Sequence, residues 1–163
     1  MSNNQMSIRE YLSEHETIVY RFKGVSMRPM LRQEKDLIVL RRYDGRGLHK
    51  YDVAMYDLGG NRSNVLHRVV GVHKDHYTFL GDNCINKERQ IPESAIVAVL
   101  ESFVRDGKVI STHNIPYRIY ARVHYLLYPA RIRWRTFVSW ASKIPWLKRI
   151  YRFIFRKDIQ KTE

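Results

Sequence analysis

Cysteine is almost absent. The 163-residue chain has one, Cys84, which excludes an intramolecular disulfide and any zinc site built from several cysteines. Its composition therefore demands no oxidising compartment. No run approaches the ~20 apolar residues that a spanning helix needs. The polar start Met1-Ser2-Asn3-Asn4-Gln5 lacks the apolar stretch of a secretory signal. Internal repeats and low-complexity tracts are missing as well. Acidic side chains are scarce, 16 against 29 lysines and arginines, for a net charge of +13. The expectation is a cytoplasmic or membrane-peripheral protein.

The scarcity of acid is local. Residues 1–112 carry 17 basic and 14 acidic side chains, whereas residues 113–163 carry 12 basic and 2 acidic ones, with 11 of the 20 aromatic residues. At 44% hydrophobic, the chain has enough apolar side chains to fold. Two regions are expected: a folded body over 1–112 and a basic, aromatic extension over 113–163.

Ile8, Tyr11 and Leu12 share one helical face, predicting a short helix over 7–14. From Thr17 the runs shorten to strand length: 17–22, 36–41, 53–56, 65–72, 77–80, 96–104 and 108–111, with Asp106-Gly107 as a hairpin turn. Many short strands without alternating helices predict a mainly β body of folded-over antiparallel or mixed sheets. Pro129 and Pro145 divide the tail into three helical candidates near 117–128, 130–143 and 146–157.

Three segments bear on chemistry. Gly24-Val25-Ser26-Met27-Arg28-Pro29-Met30-Leu31 is a tight loop able to expose a hydroxyl and leave backbone N–H groups free, as a nucleophilic serine with an oxyanion hole requires. A serine in such a turn is also a common turn former. His67 interrupts the strand Val65–Val72, where a histidine is ordinarily a satisfied strand residue, yet imidazole is the natural base at neutral pH. Gly81-Asp82-Asn83-Cys84-Ile85-Asn86-Lys87-Glu88 is a turn-like loop with two carboxylates, which alone reads as solvated surface.

Together and in this order, the segments resemble the type I signal peptidases and their LexA-like relatives. Gly24, Ser26, Met27, Pro29 and Leu31 fill a Gly-x-Ser-Met-x-Pro-x-Leu box. Asp36-Leu37-Ile38-Val39 and Tyr51-Asp52-Val53-Ala54-Met55-Tyr56 follow as the acidic-led strand and the Gly-Asp-Ile-Val-Val-Phe type of segment. His67-Arg68-Val69-Val70-Gly71 and Gly81-Asp82-Asn83 complete the series. The resemblance spans about Thr17 to Val104. It implies a serine endopeptidase of the Ser/His subtype, similar to the endoplasmic-reticulum and archaeal enzymes, since most bacterial members have lysine where His67 stands. Arg68 cannot act as a base, and Lys74 lies beyond the box.

In that subtype an acid six residues after the Gly-Asp-Asn aspartate orients the histidine. Here the count reaches Glu88, a glutamate where aspartate is usual, and Asp82 is the alternative. The resemblance then implies Ser26 as nucleophile, His67 as base, Glu88 or Asp82 as its partner, and Gly24, Ser26, Met27 and Pro29 at the substrate and oxyanion side, with no metal or organic cofactor. Met30 stands where relatives often have a smaller residue near the cleft. The implied work is limited proteolysis of a precursor peptide or protein. The alternative is a catalytically silent binding or regulatory protein on the same fold.

Members of the family carry a spanning helix before the serine box or an N-terminal DNA-binding module. The polar segment before Thr17 suits neither, so a catalytic domain with its accessory part at the C-terminus is expected. Three readings of residues 113–163 stand open: interfacial helices meeting an anionic membrane or an acidic peptide, helices packed on the body with solvated cations, and nucleic-acid binding, ranked last because no known module is present.

Overall fold

The computed structural model describes residues 7–60 and 64–141. Ser7 opens the first helix, α1 (Ile8–Glu14), by accepting the Glu10 N–H. Leu12 of α1 is buried, with Ile8 and Tyr11 packed beside it. The strands are β1 (Thr17–Arg21), β2 (Leu37–Arg42), β3 (Val53–Tyr56), β4 (Val65–Val72), β5 (His76–Leu80), β6 (Glu88–Pro92), β7 (Ile96–Arg105) and β8 (Lys108–Ser111), followed by α2 (Ile115–Leu126) and α3 (Tyr128–Ala141). The protein is mainly β, with helices towards the C-terminus.

All strand pairings are antiparallel, in the order β1-β2-β7-β3-β4-β5-β6. The long β7 pairs with β2 along one edge, while β3 and β8 share the other, β3 at Ile96–Val99 and β8 at Ser102–Arg105. β3 is buried at all four positions. Its side chains alternate between two cores. Val53 and Met55 enter one with Leu12, Leu31, Leu40 and Phe103, and Ala54 and Tyr56 enter the other with Val69, Phe79 and Ile91. Residues flanking β3 therefore occupy the middle of the sheet.

The reading of 81–88 as a loop leaves out β6. Only Ile91 of its five residues is buried, so no period-two apolar pattern marks it. α2 and α3 begin at Ile115 and Tyr128, ahead of Pro116 and Pro129, because the first helical turn loses nothing to the missing proline N–H. The chain forms two compact units, Met1–Tyr125 and Leu126–Glu163, so that α2, drawn with the tail at 112/113, falls almost wholly within the first. The third helical candidate, near 146–157, lies outside the described residues.

Candidate active site

Ser26 lies in a turn between β1 and β2, half-buried beside a fully buried Met27. The chain enters through Gly24 at φ +114°, a conformation that a Cβ makes costly. It leaves through Met30 and Leu31, whose side chains join Met27 in the core. Met27 thus anchors the loop from inside. Pro29 is exposed. Met30 turns its sulfur towards Arg68, 2.8 Å from Nη2.

Asp36 closes the loop. Its carboxylate, wholly buried, accepts from the Arg32 N–H and Nε at 2.9 Å each and from Arg105 Nη2 at 2.7 Å, while Arg105 Nη2 also donates to the Met30 carbonyl. Burial opposes the charge on Asp36, but the bonds from Arg105 and Arg32 outweigh it and hold the carboxyl below its ordinary value.

His67 sits on β4 opposite Ala54 of β3, 5% exposed. The two ring nitrogens face different partners. Nδ1 is 3.5 Å from Glu88 Oε1 and 3.4 Å from the Tyr56 hydroxyl, which itself donates to Glu88 Oε2. An Nδ1–H directed at this pair leaves Nε2 as the proton acceptor. Nε2 faces Gly81. A Cβ on Gly81 would lie 2.9 Å from His67 Nε2, 2.8 Å from the Ser26 carbonyl oxygen and 2.6 Å from Cys84 Sγ. Only glycine lets the His67 ring, the serine backbone and the 81–84 turn meet this closely.

The same turn holds the serine loop. Asn83 donates its backbone N–H to the Ser26 carbonyl at 2.7 Å and its side-chain amide to the Val25 carbonyl at 3.2 Å. Among the described residues, the Ser26 N–H donates to nothing and Ser26 Oγ makes no hydrogen bond, including to His67. Burial pushes the His67 pKa down from 6.5 to about 4, with the nearby charge of Asp82 pulling the other way. The ring is therefore neutral at pH 7. Burial also raises the Glu88 carboxyl.

Comparisons with family models, curated proteins and solved structures find no match to this chain.

Of the two acids considered for His67, the fold brings Glu88 to Nδ1. Asp82 is engaged by Arg68, whose Nε and Nη2 donate to its two oxygens at 2.8 Å each, and both side chains are 2% exposed. Three residues of α2 close over this pair: Tyr117 Oη accepts from Arg68, Tyr120 Oη donates to Asp82 Oδ2 at 3.1 Å, and His124 Nε2 lies 2.9 Å from the Asp82 carbonyl oxygen. Sequence reasoning missed Tyr56 and these three. Tyr56 meets His67 through the register that sets Ala54 against it, and the α2 residues lie 35–42 positions beyond Asp82. Neither relation leaves a local mark in the sequence.

Proposed function

We propose that this chain is a serine endopeptidase that cleaves a precursor peptide or protein by a Ser-His mechanism. One observation carries the reading: a buried, neutral His67 has an acid and a tyrosine at Nδ1, with the Ser26 backbone and a glycine that leaves space at Nε2. Ser26 Oγ attacks the scissile carbonyl and passes its proton to His67 Nε2. Glu88 stabilises the imidazolium, and the Ser26 N–H contributes to binding the oxyanion. His67 then protonates the leaving amine, and a water activated by the same nitrogen hydrolyses the acyl-enzyme. The resemblance of five ordered segments to the signal-peptidase and LexA-like family supports the same assignment. The location that goes with it is the cytoplasm, peripheral to the inner face of the membrane, where a basic tail suits an anionic leaflet. Among the described residues no helix is long and apolar enough to cross a membrane.

One observation favours a catalytically silent binding protein instead: Ser26 Oγ and His67 are not hydrogen-bonded. Contacts of this kind often tighten only around substrate. Digestion of a defined peptide library, read by mass spectrometry, separates the two readings. The expected result is cleavage by the wild-type chain that is lost in both Ser26→Ala and His67→Ala. Equal cleavage by Ser26→Ala, or none by the wild type, overturns the proposal.

A further inference from the structure

α2 is apolar on two faces. At about 100° per residue, Tyr117, Tyr120, Ala121 and His124 fall on the side that packs over Arg68 and Asp82. Ile115, Ile119, Val123 and Leu126 fall on the opposite side, 71%, 56%, 47% and 76% exposed. Four aliphatic side chains in one outward stripe are more than an ordinary scatter of surface leucines, and a contiguous apolar patch marks a contact surface.

The flank of the stripe is cationic. Arg118 and Arg122 lie between the two faces and line a cleft of about 590 Å³ with Lys50. Lys50 Nζ and the Arg122 guanidinium stand 5.3 Å and 5.7 Å from the Tyr51 ring centre. The acids of the cleft are Asp44, Asp52 and Glu101, of which Asp44 is held by Arg41 and Arg46. From residue 113 to residue 141 there is no acidic side chain, against five arginines. α3 repeats the pattern independently: Trp134, Phe137 and Trp140 form an exposed ridge with ring centres 6.0 Å apart at each step, and Arg133 and Arg135 stand exposed beside them.

We infer that the outward stripe of α2, flanked by Arg118 and Arg122, docks on an anionic lipid bilayer, and that the aromatic ridge of α3 inserts at the same kind of surface. Aliphatic side chains enter the headgroup boundary and arginines meet lipid phosphates, the arrangement of an interfacial helix. A nucleic-acid backbone would use the arginines and leave the four aliphatic side chains in water. A second copy related by two-fold symmetry would set arginine against arginine with no acid on the segment to neutralise them. The inference deepens the proposed location and is independent of proteolysis.

The test is flotation of the full-length Ser26→Ala chain with vesicles of phosphatidylcholine alone and with 30% phosphatidylglycerol. Tryptophan emission is recorded alongside, since all three tryptophans lie within 134–146. The expected result is binding to the anionic vesicles only, with a blue shift in emission. Ile119→Glu with Val123→Glu should weaken binding at least tenfold, and neutralising Arg118 or Arg122 by glutamine about fivefold each. Both changes are on exposed positions, so an unaltered melting curve is the control for folding. Equal flotation with both vesicles, no flotation, binding unchanged by the glutamate pair, displacement of vesicles by duplex DNA, or a vesicle-free dimer that the glutamate pair dissociates each overturns the inference. Failure here leaves peptide cleavage by the wild-type chain untouched, and failure of cleavage leaves vesicle binding untouched.

Discussion

In the proposed mechanism the usefulness of His67 as a base depends on its being buried without being isolated. Burial lowers its pKa to about 4, so the neutral form that accepts a proton persists well below the ordinary histidine range. The acid limb of kcat/KM should accordingly fall near pH 4 to 5, and an apparent pKa at or above 6.5 in a pH-rate profile would contradict the buried placement. Stability follows the same sign. The unfolded chain takes up this proton at about 6.5 and the folded chain only near 4, so the contribution of neutral His67 is complete above pH 6.5 and is lost as the pH falls towards 4. Urea denaturation should show the wild type losing up to about 3 kcal/mol more than His67→Gln over that interval. Glu88 and Tyr56 stand at the other ring nitrogen, Nδ1. Glu88→Gln presents an amide to Nδ1 and disturbs the tautomer, with an expected fall in kcat of about 10²–10⁴-fold at nearly constant KM. Tyr56→Phe keeps the carboxylate and should cost about tenfold. Gly81→Ala brings a methyl against the Ser26 carbonyl and His67 Nε2, and should lower kcat/KM about a hundredfold, because a small misplacement of reacting groups is that expensive.

At the scale of elements, the serine turn is held from three directions: Met27 and Leu31 in the core, Asp36 with its two arginines at the head of β2, and the 81–84 turn bonded to Val25 and Ser26. The last of these depends on the Arg68–Asp82 pair. Removing one partner of a buried ion pair strands the other charge, so Arg68→Ala should destabilise the fold by about 3–5 kcal/mol in urea denaturation. A loss below 1 kcal/mol would mean that the pair carries little. Much of this was legible in the sequence. The strands, the hairpin at Asp106-Gly107 and the separation of Ser26, His67 and Glu88 into three segments follow from short apolar runs and turn residues. β6 was not, because an edge strand with one buried residue has no apolar period to read. Nor was the choice between Glu88 and Asp82. That choice rests on which acid Arg68 captures, and Arg68 and His67, adjacent in sequence, point to opposite sides of β4.

At the scale of the whole molecule, α2 has a structural duty that its composition conceals. Its arginines and aromatics look like the rest of the basic tail, yet Tyr117 and Ala121 are buried in the first compact unit, and Tyr120 and His124 close over the Arg68–Asp82 pair. A chain ending at residue 112 lacks all four. Arg68 loses the Tyr117 hydroxyl and the faces of Tyr117 and Tyr120, 5.7 and 6.0 Å from its guanidinium, and Asp82 loses two donors. Water then reaches an ion pair whose geometry sets the 81–84 turn, and apolar neighbours of Tyr117 such as Phe103 become exposed. A chain ending at residue 126 keeps every one of these contacts and loses only the second unit. The 1–126 chain should therefore melt within a few degrees of the full chain and retain Ser26-dependent peptide cleavage, with weaker binding to anionic vesicles because the Trp134–Trp140 ridge is gone. The 1–112 chain should melt far lower or fail to fold, and should cleave nothing. Thermal unfolding of the three chains decides the matter: if 1–112 melts with the full chain, α2 belongs to the tail in structure as well as in composition.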